Sequence, residues 1–409
     1  MNDNDITDTA HEAPTRRDTV KYGGAVVGGG LLAGCIDSNE PDSTGDGGNN
    51  DGTTSGTVDE TENSYEACIE PAGCLTLEEI PDTWLAYNGG WADMAFTLGQ
   101  RDGFLTADNM IPSFFFEPFE LDVPPESELT PLQTEGWDRE TFYELDPDVI
   151  LMSPEYMHGV GFVEGWEKSD TEEIAENVAP FFGNNMRRRR DYHDHKLYTL
   201  YEGLERLADL FQERERYEAM KAVHDELQAE ISSRLPPESE RPGIGLINSG
   251  SEPRKGKFYL LNTQGEGYEN KPYRDLDVAS AFSEEMEGWA DYETMLEIDP
   301  DVIMVHWGIG TTGDTNSFSA QAFREQYVTP MENDPTGSKL TAVQNEDVYP
   351  GQYGEQGPIV NLLQTEMVAQ QLYPKEFGAF DPESFPEVPE ENQLFDRQRV
   401  ADIINGDLT

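Results

Sequence analysis

Positive charge is what this 409-residue chain has least of: 27 Lys and Arg stand against 82 Asp and Glu, a formal net charge of −55. A protein that neutralises phosphates needs a basic face, so nucleic acid is excluded as a partner. Adhesion to anionic membrane surfaces is disfavoured for the same reason. Long apolar runs are missing too; with no stretch of 18 or more apolar residues, nothing reads as a stable transmembrane helix. Two common enzyme motifs are absent: there is no G-x-S-x-G elbow and no P-loop. The chain therefore reads as a non-enzyme that needs no cofactor. Hydrophobic residues make up only 36%, yet a folded part of roughly 300 residues could still bury about 75% of its unfolded surface. The length suggests two or three domains.

So many carboxylates would destabilise a compact state by self-repulsion. Concentrated salt removes that penalty, because the Debye length falls to about 3 Å at 1 M. Scarce Lys and acids spread along the whole chain resemble the proteins of extreme halophiles. An acidic disordered protein is the alternative, and the frequent aromatics and periodic apolar segments argue against it.

The first 35 residues read as an export signal. Arg16 and Arg17 precede a short glycine-rich apolar stretch from Tyr22 to Ala33, which ends in Leu32-Ala33-Gly34-Cys35. A charged region, a short apolar segment and twin arginines are the layout of a Tat signal. The closing box resembles a lipoprotein signal with Cys35 as the lipidated residue; a plain secretory signal is the alternative. Residues 36–65 are mostly Asp, Ser, Asn, Gly, Thr and Pro and can bury no core. They read as an acidic tether of about 30 residues, reaching roughly 30 Å r.m.s.. The chain is thus expected on the extracellular face of the cell membrane, held only by its lipid.

Cys68 and Cys74 remain. Outside the cell a close pair is most simply a disulfide; two free thiols are the alternative. A metal site would need more ligands nearby, and no His follows.

The body of the chain repeats itself. Residues 137–152 and 290–305 align at an offset of 153, with nine of sixteen pairs identical. One duplication at that distance implies two similar lobes rather than a solenoid. In each copy an N-capping Asp, Asp138 or Asp291, precedes a short helix. Asp-Pro-Asp breaks it. An all-apolar run follows, Val149–Met152 or Val302–Val305, as in buried parallel strands. Each strand leads into a polar loop, 153–159 or 306–313. Open α/β sheets bind ligands at their carboxyl ends, so these loops are expected to form opposite walls of one cleft.

Further strands are predicted over 84–88, 243–248 and 258–262, and a helix over 91–98. Between the lobes lie helical patterns over about 193–211 and 213–234. In the second, Tyr217, Met220, Val223, Leu227 and Ile231 form one apolar stripe. It spans roughly 33 Å at about 1.5 Å per residue, enough to bridge two lobes. The expected fold is α/β, with two Rossmann-like lobes of mainly parallel sheet joined by a rigid spanning helix. The first lobe covers 66–190, the connecting helices 191–235, and the second lobe with the tail 236–409.

This order of signal, lobe, spanning helix and lobe resembles the substrate-binding proteins of ABC importers of the iron–siderophore, haem and cobalamin type. The resemblance covers about residues 80–378. It is carried by the two Asp-Pro-Asp-Val-Ile strands, by Leu98-Gly99, and by Gly357-Pro358-Ile359 leading through Leu372-Tyr373-Pro374 to Phe377. It implies a receptor delivering a ferric siderophore, haem or corrinoid to an ABC permease dimer. In that family each lobe offers the permease a glutamate seven residues before the motif's proline, which here gives Glu140 and Glu293.

Such ligands are large, often ringed and frequently anionic, so the cleft needs aromatic faces and a few cations. Candidate aromatics are Tyr87, Trp91, Tyr156, Trp307 and Tyr353. The run Arg187-Arg188-Arg189-Arg190 spends four of the 27 basic residues in one place, and Arg254, Lys255 and Lys257 form a second cluster. Guanidinium forks suit carboxylate, catecholate or phosphate groups. Two rival readings stay open. A bare Zn²⁺ or Mn²⁺ receptor would need converging His and carboxylates, with His158, His193, His195 and His306 available. A structural cell-surface lipoprotein would explain the anchor and acidity but not the paired lobes.

Overall fold

The computed structural model describes residues 64–408, apart from 107–110, 133–136, 160–164, 284–285, 287 and 311–317. The signal, Cys35 and nearly all of the tether lie outside the described residues. Among those described, no helix is long and apolar enough to cross a membrane.

The chain opens with an antiparallel hairpin of β1 (Tyr65–Ile69) and β2 (Gly73–Leu77). Cys68 and Cys74 face each other across it and are bonded, with Cα atoms 4.0 Å apart. Ala67, Ile69 and Leu77 point into the core, and the Tyr65 hydroxyl donates to the Leu210 carbonyl.

The first lobe is built on a parallel sheet of very short strands. β3 (Trp84–Leu85) leads into α1 (Gly89–Thr97), and α2 (Arg139–Leu145) leads into β4 (Val149–Ile150). β3 pairs with β4, while single parallel bridges add Phe104 beside Trp84 and Phe181 beside Ile150. The lateral order is therefore 104, 84, 149, 181. Two helices follow β4: α3 (Pro154–Gly159) and α4 (Lys168–Asn177). The predicted polar loop 153–159 is thus mostly a turn and a half of helix.

The connection consists of α5 (Leu200–Phe211) and α6 (Arg214–Arg234). The pattern expected from about 193 begins helix only at 200. Thr199 and Glu202 form a reciprocal capping box that fixes the start there. In α6 the buried residues are Tyr217, Met220, Val223, Leu227 and Ile231, the stripe read from the sequence.

The second lobe carries β5 (Gly243–Asn248), β6 (Phe258–Leu261), α7 (Lys271–Asp275), β7 (Ala279–Ser280), β8 (Gly288–Ala290), α8 (Tyr292–Ile298) and β9 (Val302–His306). Three short helices follow, α9 (Ala320–Phe323), α10 (Thr329–Asn333) and α11 (Thr341–Gln344), then β10 (Val348–Pro350). β7, β5, β9 and β10 lie side by side and parallel, with β6 antiparallel to the end of β5 and β8 antiparallel to β6. The parallel part, 279, 243, 302, 348, repeats the order of the first lobe. Finally come α12 (Pro358–Leu372), α13 (Pro374–Phe377) and α14 (Arg397–Asn405). The last of these packs on α6 and α1.

Three apolar cores explain the all-apolar strands. Val149 and Leu151, like Val302 and Met304, face a shared central core that also takes in α1, α5, α6, α12 and α14. Their alternates Ile150 and Met152 face an outer core of the first lobe. Ile303 and Val305 face an outer core of the second. A strand buried on both faces has no room for alternating polar residues.

Candidate ligand-binding cleft

The carboxyl ends of both sheets meet at one polar cluster buried between the lobes. Asn88 follows β3, Arg187 and Arg188 follow the strand position at Phe181, His306 ends β9, and Glu355 follows β10. Glu269 comes from the segment before α7.

Arg187 is the centre. Its Nη2 lies 2.8 Å from Glu269 Oε1 and its Nη1 lies 3.0 Å from Glu355 Oε1. Arg188 also reaches Glu269, with Nε 2.7 Å from Oε2. His306 Nε2 is 3.1 Å from Glu269 Oε1. The Tyr268 hydroxyl donates to Glu355 Oε2 at 2.6 Å, and Asn88 Nδ2 reaches the other oxygen of Glu355 at 3.3 Å. Two guanidinium and two carboxylate charges cancel, as burial requires.

The electrostatics follow from this packing. Burial alone would push Glu269 up, but Arg187, with His306 and Arg188, outweighs it and holds the carboxyl well below its usual range. Burial opposes charge on Arg187 as well, and Glu269 and Glu355 more than restore it. Burial lowers His306 despite the neighbouring Glu269, which leaves the imidazole neutral at neutral pH.

Aromatic rings flank the cluster on both sides. From the first lobe, Tyr87 lies 5.6 Å from Tyr156 and 4.8 Å from Trp137, centroid to centroid. From the second, Trp307 lies 4.6 Å from Tyr353, and the Arg187 guanidinium sits 4.8 Å over the Trp307 ring. Trp307 has φ 67, in the left-handed region that favours glycine. A bulky residue held there costs about 1–3 kcal/mol, and such strain gathers at binding sites. Gly354 makes the room, since a Cβ on it would stand 2.4 Å from the Trp307 ring.

A groove of about 410 Å³ opens beside the cluster, lined among others by Arg189, Tyr198, Glu266, Tyr268, Lys271 and Arg274. Its volume is in the range of small-molecule sites.

A model of the periplasmic binding protein family matches residues 132–352, more than half of the chain. The chain belongs to that family. No curated protein matches it in sequence. Among solved structures, a periplasmic binding protein from Veillonella parvula is 14% identical with a TM-score of 0.53, covering 76% of this chain and 98% of its own. The iron uptake ABC transporter substrate-binding protein PiuA from Streptococcus pneumoniae is 16% identical, TM-score 0.51, covering 76% and 99%. The petrobactin-binding protein YclQ from Bacillus subtilis is 14% identical, TM-score 0.50, covering 76% and 99%. At these identities the likeness is one of fold: two α/β lobes of largely parallel sheet.

In this periplasmic binding protein the sequence-derived candidates divide into two groups. Tyr87, Tyr156, Arg187, Arg188, Trp307 and Tyr353 come together at the cleft. Trp91 is taken up by the shared core on α1. Arg189 pairs with Glu266 in the groove, 2.7 Å away. The Arg190 N–H donates to His193 Nδ1. Arg254 donates to the Glu325 carbonyl, Lys255 pairs with Glu252, and Lys257 stands over the ring of Trp289. Glu140 and Glu293 are exposed in the first turns of the equivalent helices α2 and α8.

Sequence reasoning missed Glu269, Glu355, Tyr268, Lys271 and Arg274. In a chain with 82 acids no single glutamate stands out. The usable signal was the four-arginine run, because buried guanidinium demands buried carboxylate.

Proposed function

We propose that this protein is an extracellular solute receptor that delivers a ferric siderophore, or a haem or corrinoid, to an ABC importer. One observation carries the reading: an arginine of the first lobe sits between two glutamates of the second, with an aromatic pair from each lobe beside it. Acidic groups of a ligand would compete with Glu269 and Glu355 for Arg187, and its rings would stack on the flanking aromatics. The groove with Arg189, Lys271 and Arg274 would form the approach. The names of PiuA and YclQ, an iron uptake protein and a petrobactin-binding protein, agree with this class of ligand.

Lipidation at Cys35 after Tat export would hold the receptor outside the membrane on its acidic tether, and concentrated salt would be its working medium. Glu140 and Glu293, exposed and in register, would dock the loaded protein onto a permease dimer.

The test is a fluorescence titration of the mature protein in molar salt with ferric siderophores, haem, corrinoids and free metals. Saturable quenching of Trp307 by one of the large ligands, weakened by Arg187→Ala, is expected. Binding that is indifferent to Arg187 would place the ligand elsewhere and end this assignment.

A further inference from the structure

A cluster of potential metal ligands, apart from the buried arginine cluster, links the first lobe to the connecting segment. It joins α3, which carries Glu155, to the segment between the four arginines and α5, which carries Asp194 and His195. One ligand atom from each of the three residues falls within 4.8 Å of the others. His195 Nδ1 is 3.1 Å from Glu155 Oε2 and 3.8 Å from Asp194 Oδ1.

Exposed acids gather without purpose in a chain this acidic, so the cluster alone decides nothing. The histidine does. Its side chain is only 7% exposed. Both of its ring nitrogens and Glu155 Oε2 are buried without a hydrogen bond, because the 3.1 Å contact lacks hydrogen-bond geometry. Buried polar atoms are normally satisfied, and here His195 Nδ1 and Glu155 Oε2, from two segments of the chain, face each other with neither bonded. Separations of this size are what two donors on one ion would show, given metal–ligand bonds of about 2.0–2.2 Å.

We infer that Glu155, Asp194 and His195 form a site for one divalent transition-metal ion. An imidazole nitrogen with two carboxylate oxygens suits Zn²⁺ and its neighbours, and three protein ligands leave a position for water. His193, next to the cluster, is not a fourth ligand: its Nδ1 accepts the Arg190 N–H, so in the neutral ring Nε2 carries the proton. Arg189 lies beside it, with Nη1 3.5 Å from the His195 carbonyl, but its Nε is committed to Glu266. The ion would pin α3, and with it Tyr156 of the cleft wall, to the segment leading into α5.

The full chain is titrated with Zn²⁺ by calorimetry and with Co²⁺ by visible absorption. One equivalent should bind, with a Co²⁺ d–d band that Zn²⁺ displaces. His195→Ala and Glu155→Gln should each weaken binding at least about 10-fold, the loss that even outer partners of a metal ligand cause. Circular dichroism checks that both variants fold; if His195→Ala does not, the half-exposed Glu155→Gln decides. Absence of saturable binding, or a Glu155→Gln variant that binds like the wild type, would overturn the site.

Discussion

Asp148 and Asp301 hold the same post in the two lobes. The Asp148 carboxylate accepts the N–H groups of Asp82 and Thr83 at 2.9 and 2.8 Å, at the entry to β3. The Asp301 carboxylate accepts the Gly243 N–H at 2.8 Å, at the first residue of β5. In each case the preceding Asp of the motif, Asp146 or Asp299, closes the helix in the left-handed conformation. The Asp-Pro-Asp repeat thus ends a helix and ties the next strand to its neighbour. Replacing either Asp148 or Asp301 with Ala should cost about 1 kcal/mol, less than the ~1.5–3 of a buried hydrogen bond to a charged group because both are exposed. Denaturant unfolding of both variants checks this, and an effect confined to one lobe would break the equivalence.

Arg187→Met should cost more. It leaves Glu269 and Glu355 buried and deprived of their common partner. Losing one side of a buried ion pair typically destabilises by about 3–5 kcal/mol. Adding Glu355→Gln and Glu269→Gln to Arg187→Met should recover part of that loss in a thermal unfolding series.

The cleft should also sense acid. His306 folds with its proton affinity lowered by burial, and Glu269 with its own lowered by Arg187 in spite of burial. In both, the unfolded chain binds the proton more readily, so stability rises with pH. The His306 contribution is complete above its ordinary value of 6.5 and falls as the pH drops below it. That of Glu269 is complete above 4.5 and falls below that. Melting temperature against pH should therefore slope twice on the acid side. His306→Gln should flatten the first slope, Glu269→Gln the second.

Docking predicts a separation of functions. Glu140→Arg with Glu293→Arg should abolish uptake in cells while ligand affinity of the purified protein stays unchanged. Undiminished uptake would remove these glutamates from any role at the permease.

Much of the scaffold was legible because its physics is local. The strand β9 announces itself by Val302–Val305, apolar on both faces, and α6 by an apolar residue every third or fourth position. The site was legible from its basic and aromatic residues but not from its acids. Arg187 could be suspected from its rarity, and Tyr156 and Trp307 from their place after a strand. Glu355 could not, since what distinguishes it is complete burial against a residue 168 positions earlier. The helix expected from about 193 starts only at Leu200, because the Thr199–Glu202 cap fixes its first turn there. Trp91 shows the reverse: a helix following a strand end can turn its largest ring inward.

The central core has one more implication. Because α6, α12 and α14 fill a single apolar mass touching both sheets, prising the lobes wide apart would wet much of it. Loaded and empty forms must then have nearly the same outline, and solution scattering should scarcely tell them apart. If a permease docks at Glu140 and Glu293 as proposed, it could not recognise cargo by a change in gross shape and would have to sense a slight shift of one glutamate against the other.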